Sequence, residues 1–151
     1  MIILSGTLVQ KLYRRSNAFI ANAFIDSAKL YLEKQFYELT CYSMEQSLQL
    51  YVKAMLIEFF GLKARIHGII NNFSLLFKCL MDSGFDHYAS ELMDFIRRNR
   101  GVLDLMDMAY IEARYGLLEY TYNDATKCID IGIDCIKLLE RIRSRLKGGR
   151  K

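Results

Sequence analysis

The sequence predicts an all-α fold, an antiparallel up-and-down bundle of about five to six helices, and three observations carry that prediction. Proline is absent from all 151 residues, so nothing breaks long helices, whereas the turns of a β-sandwich or barrel of this size would ordinarily use it. Apolar residues, 52% of the chain, recur at three- and four-residue steps over stretches of helical length. Glycines stand where those rows stop. The length suits one domain, and 52% apolar against 25% charged residues excludes a disordered chain. The expected divisions are an N-terminal arm or extension at 1–16, the bundle at 17–146 and a basic tail at 147–151.

The first helix is expected between Ser16 and Lys34, where Ala21, Phe24, Ile25, Ala28, Tyr31 and Leu32 share a face. The residues before it fit a strand, a helical turn or an arm equally well. The second spans Phe36 to Phe60 on the row Cys41, Met44, Leu48, Met55 and Phe59, and Gly61 closes it. A third, from about Gly68 to Met81, turns Ile69, Ile70, Phe73, Phe77 and Leu80 inward. Asp86 is the expected N-cap of a fourth. A fifth follows Gly101 and buries Leu105, Met108 and Ile111 or their neighbours. The last begins near Thr121, whose hydroxyl forms an approximate capping box with Asp124. Ala125, Cys128, Ile129, Cys135, Ile136, Leu139 and Ile142 mark its inner face. Gly132 stands inside that helix at a cost of about 1 kcal/mol relative to alanine, which a close helix crossing would explain.

The cysteines at 41, 79, 128 and 135 form no CxxC pair and lie in apolar helical stretches, so buried free thiols in a reducing cytosol are expected. No apolar run approaches the roughly 18 residues of a membrane span. The charges of the opening MIILSGTLVQKLYRR follow its apolar stretch, the reverse of a secretory signal, and a cytoplasmic placement with no membrane partner is the expectation. Residues 141–151 hold six Lys or Arg and no acid, so 1–140 carry 4 − 6 = −2 of the net +4. Such a tail suits a helix C-terminus, where cations favour the dipole, and equally a contact with nucleic acid.

Three places hold candidate chemistry. Glu45, Gln49 and Lys53 fall four apart on one stripe of the second helix, with Gln46 beside them. They form either a solvated face with a Glu-to-Lys relay or a polar pocket in which Lys53 meets an anion. His67 precedes the third helix, either as a cap or as a group shown to a ligand at the helix's positive end. Arg114 and Tyr115 end the fifth helix before Gly116, either binding its last carbonyls or gripping a phosphate and stacking on a base. No Cys, His, Asp or Glu set has metal-ligand spacing, and no phosphate loop, dinucleotide fingerprint or nucleophile elbow is present; no metal or cofactor is expected.

Taken in order, Glu45-Gln46, Lys53-Ala54, Gly61, His67, Arg114-Tyr115-Gly116 and Thr121 with Asp124-Ala125 resemble the HEPN family (higher eukaryote and prokaryote nucleotide-binding domains) over roughly residues 17–146. The resemblance implies a small helical bundle that forms homodimers, binds a nucleotide or RNA at Lys53, His67, Arg114 and Tyr115, and in prokaryotic members often accompanies a minimal nucleotidyltransferase as a toxin–antitoxin or accessory pair. Glu45, Gln46 and Gln49 would be its supporting polar row. RNase members carry an Arg followed after four to six residues by a His. Here Arg114 runs into Tyr115, Gly116, Leu117, Leu118, Glu119, Tyr120 and Thr121, so the nuclease pair is missing. A binding module is the first reading. A protein-interaction bundle with a vestigial pocket and an RNase of altered motif are the alternatives.

Overall fold

A computed structural model describes residues 6–115 and 118–148, with side chains from Leu8 to Ile111 and from Leu118 onward. It is an all-α bundle of six helices, with no strand among the described residues: α1 (Gly6–Glu33), α2 (Tyr37–Phe60), α3 (Ile69–Asp82), α4 (Asp86–Arg98), α5 (Arg100–Tyr115) and α6 (Tyr122–Lys147). The centre is α2, which packs against α1, α3, α5 and α6. It can sit there because it is buried on several sides, with Cys41, Met44, Leu48, Val52, Met55 and Leu56 all at 2% exposure or less. Phe73, Leu76 and Leu80 of α3, Leu92 of α4, Leu103 and Met106 of α5 and Leu139 and Ile142 of α6 complete the core around it. Burying a Leu-sized side chain is worth about 1.5–3 kcal/mol, so this cluster is the main stabilising term.

The first helix starts at Gly6, inside the stretch expected as an arm. Apolar periodicity missed those turns because their inward row is polar. Half-buried Gln10 and Arg14 and buried Asn17 lead into Ala21 at steps of four, three and four, while Leu8, Val9, Leu12 and Tyr13 face out. Left-handed residues end three helices: Gln35 (φ 65°) after α1, Gly61 (φ 62°) after α2 and Gly84 (φ 82°) after α3. At Gly61 the amides of Gly61 and Leu62 return to the carbonyls of Ile57 and Leu56. Asp86 is the first residue of α4 rather than its cap; Phe85 holds the cap position and supplies no side-chain bond. The α6 box forms in full: the Asp124 amide donates to Thr121 Oγ1 (3.1 Å) and the Thr121 amide to Asp124 Oδ2 (2.9 Å).

Two further expectations shift. In α5 the buried row is Leu103, Met106 and Ala109, whereas Met108 and Ile111 are 44% and 54% exposed. The whole predicted inner row of α6 is buried, and Gly132 does mark a close crossing: a β-carbon there would collide with the terminal methyl of Met44 on α2. The expectation of four free thiols is corrected. Cys41 of α2 and Cys128 of α6 are joined as a disulfide across that crossing, with Cα atoms 5.3 Å apart, leaving Cys79 and Cys135 free. Spacing along the chain does not reveal this pair, because residues 87 apart meet only where the inner faces of two helices pack together. With it goes the inference of a reducing compartment, which rested on four free thiols. No helix among the described residues is long and apolar enough to cross a membrane.

Candidate functional site

Between α2 and α5 lies a cleft of about 550 Å³, closed at one end by the loop that leads from Gly61 into α3. One wall is the α2 stripe of Tyr42, Glu45, Gln46, Gln49 and Lys53, whose spacing keeps them on one side of the helix. The other is Asp107, Tyr110 and Ile111 of α5 at steps of three and one, and His67 and Gly68 come from the loop. The reading of the α2 row as a solvated face is thereby corrected: Glu45 is 1% and Gln49 7% exposed, and Lys53 is half-buried.

Glu45 organises the floor. Its two carboxylate oxygens accept from Gln49 Nε2 at 2.5 Å and Gln46 Nε2 at 2.6 Å, which satisfies a charge that burial would otherwise leave unpaired. Burial still dominates and pushes the carboxyl up to about 7, with Asp107 adding to the rise and the two amides and Lys53 opposing it. Near neutrality Glu45 is therefore a buried group that can hold or release a proton.

Asp107 ties α5 to the start of α3. Its carboxylate accepts the amides of Ile69 (2.7 Å) and Ile70 (3.3 Å), and burial raises its pKa against those bonds. The capping group of α3 is therefore a side chain from another helix, and His67 is not the cap. The anion expected at the positive end of α3 is already present as the Asp107 carboxylate. His67 is exposed at the cleft's edge, its carbonyl accepting from Asn71 Nδ2 (3.2 Å). Asn72 pins the loop by donating to the carbonyls of Ile66 (3.1 Å) and Gly68 (2.7 Å). Gly68 adopts φ 91°, which lets the chain turn beneath Asp107.

The structure thus brings together Lys53, His67, Glu45, Gln46 and Gln49. The backbone of Arg114 and Tyr115 forms the last turn of α5, with Arg114 three residues beyond Ile111; their side chains lie outside the described residues. Sequence reasoning missed Tyr42, Asp107 and Tyr110. The rings of Tyr42, from the α2 wall, and Tyr110, from the α5 wall, sit 6.0 Å apart between centroids and give the cleft an aromatic pair. A signal existed: Asp107 and Arg114 stand seven apart in the fifth helix, which puts them on one face. The arrangement offers ring faces for stacking, amides for hydrogen bonding and an ammonium for a phosphate. A larger groove of about 730 Å³ between α4 and α6 mixes opposite charges, with Glu91 and Arg141 paired across it, and concentrates no such chemistry. No group of three or more His, Cys, Asp or Glu that could hold a metal ion occurs among the described residues.

Compared with known proteins, the chain matches the family model of the HEPN domain over residues 17–143. No curated protein and no solved structure matches it.

Proposed function

Because this chain belongs to the HEPN domain family, we propose that it is a nucleotide- or nucleic-acid-associated binding module, working as a homodimer, with its site in the α2–α5 cleft. The observation that carries the reading is the cleft's composition. Lys53 and His67, from different elements, line one cavity with Tyr42 and Tyr110, so a cation and ring faces are within one ligand's reach. Arg114 and Tyr115, in the last turn of α5, are assigned to the same ligand. A binding role rather than hydrolysis follows from the missing Arg-to-His spacing after Arg114. A minimal nucleotidyltransferase is the protein partner this reading proposes.

Calorimetric titration with nucleoside mono- and triphosphates should show binding that weakens as salt rises, since an ammonium–phosphate contact is screened. Lys53→Ala should reduce affinity at least about tenfold, or about 1.4 kcal/mol. No heat from any nucleotide at millimolar concentration would leave the cleft without this role.

The dimer reading rests on an outer apolar face. α1 carries Leu12, Phe19 and Leu30 on the side opposite its core face, Phe19 at 76% exposure. Sedimentation at micromolar concentration should give twice the 17.6 kDa chain mass, and Phe19→Asp should shift the equilibrium to monomer. A wild-type monomer at those concentrations would exclude the dimer.

A further inference from the structure

We propose a second binding site, for the phosphodiester backbone of a single-stranded nucleic acid, in the cleft between the first turns of α1 and the end of α6. It shares no residue with the α2–α5 cleft and deepens the nucleic-acid side of the reading above.

The charge pattern along the chain is the first ground. From Gly6 to Ile25 the sequence has Lys11, Arg14 and Arg15 and no acid, and beyond Glu140 every charge is positive. Folding puts these two stretches side by side, because α1 packs against α6 as well as α2. Between them is a cleft of about 510 Å³ whose lining includes Lys11, Arg14 and Lys147. Glu58 is the one acid among the described residues that line it. That carboxylate is occupied twice over, paired to Arg14 and accepting from Arg143 Nε at 3.2 Å. One negative charge held by two guanidiniums leaves the cleft with an excess of positive charge, and Lys11 and Lys147 stand exposed at its mouth.

The second ground is what accompanies the cations. Half-buried Phe59 lies in the lining, and the Lys63 ammonium stands 5.9 Å from the centroid of the Tyr13 ring just beyond, on the loop that leads towards His67. A β-carbon at Gly61 would come within 3.0 Å of Gln10 Nε2, so that loop is held close against α1. Cations that track phosphates beside ring faces that accept bases are what a flexible single strand requires, and a duplex offers no unstacked bases to such rings. An acidic protein would satisfy the charges but not use the rings.

The test is fluorescence anisotropy of the full chain with short single-stranded oligouridine and the matching DNA, titrated over a range of sodium chloride. The wild type should bind with affinity that falls steeply with salt. Lys11→Ala with Lys147→Ala should weaken binding at least about tenfold and lower the log–log salt slope by about 1.4, roughly 0.7 for each lost contact. Both residues are exposed, so the doubly substituted chain should keep its helical circular dichroism. Lys78→Ala, at an exposed lysine of α3 that lines neither cleft, should leave this slope unchanged, which ties the effect to the α1–α6 cleft. An unchanged slope in the double variant would overturn the proposal. So would binding by phosphatidylserine–phosphatidylcholine vesicles that depends on the same two lysines while neither oligonucleotide binds.

Discussion

Breaking the Cys41–Cys128 disulfide should destabilise the protein by about 4–5 kcal/mol, the largest effect expected from any single bond in it. The bond closes a loop of 87 residues, and the chain-entropy estimate for restricting an unfolded loop of that length is about 4.6 kcal/mol. A domain of this size has about 5–15 kcal/mol of net stability, so the loss is a large share of the total. Both cysteines lie in the core at no measurable exposure, and reduction removes no heavy atom from it, so no cavity opens. The entropic term should therefore appear almost alone. Urea denaturation with and without reductant should show the shift in midpoint, and Cys41→Ala with Cys128→Ala should reproduce it with a smaller added packing loss. Cys135→Ala is the control. Cys135 lies seven residues from Cys128 in α6, but burial pushes its thiol well above the ordinary range, which disfavours the thiolate that exchange would need. Alkylation of unfolded, unreduced protein should label two cysteines; labelling of all four would rule the disulfide out.

What the sequence disclosed follows from what kind of force placed each element. Helices whose inward row is apolar were legible nearly to the residue: the α6 row, the Thr121 capping box and the Gly61 stop all stand where periodicity and capping chemistry put them. The early turns of α1 were not, because Gln10, Arg14 and Asn17 face inward there and a polar inner row carries no hydrophobic period. In α5 the sequence offers apolar residues on two faces, and only packing against α2 decides that Met106 goes in and Met108 out. The candidate cleft shows the same division. The Glu45–Gln49–Lys53 stripe was visible as spacing, but its burial depends on α5 lying over it, which no local pattern encodes. Asp107 is the clearest case: it caps a helix 38 residues before it in the chain, and capping rules that look a few residues along the sequence cannot find it.

Glu45→Gln should stabilise the protein above neutral pH by about 3 kcal/mol and abolish most of its stability loss between pH 4.5 and 7. In the unfolded chain this carboxyl ionises near its ordinary 4.5, whereas in the fold burial holds the proton up to about 7. Between those values the folded state binds more protons than the unfolded one, so each rise of one pH unit weakens the fold, by at most about 1.4 kcal/mol. Below pH 4.5 both states carry the proton and the penalty vanishes; above 7 both are ionised and the full penalty remains. Asp107, whose carboxyl is also raised by burial, contributes with the same sign, and Lys53 opposes it on the α2 side. Glutamine removes the titration yet keeps a carbonyl that can accept from Gln46 and Gln49, so the hydrogen bonds at the floor survive in part. Glu45→Leu would instead strand both amides and cost about 1–3 kcal/mol for each buried group left unmade. The measurement is a pair of urea midpoints at pH 5 and pH 8 for wild type and the Gln variant. Wild type should be more stable at pH 5, and the variant should gain chiefly at pH 8. A variant that gains nothing at pH 8 would mean that the folded carboxyl ionises as it does in water. An anionic ligand in the cleft should then raise the Glu45 proton affinity further, so nucleotide binding near pH 7 should take up protons, measurable as a dependence of the calorimetric heat on the ionisation enthalpy of the buffer.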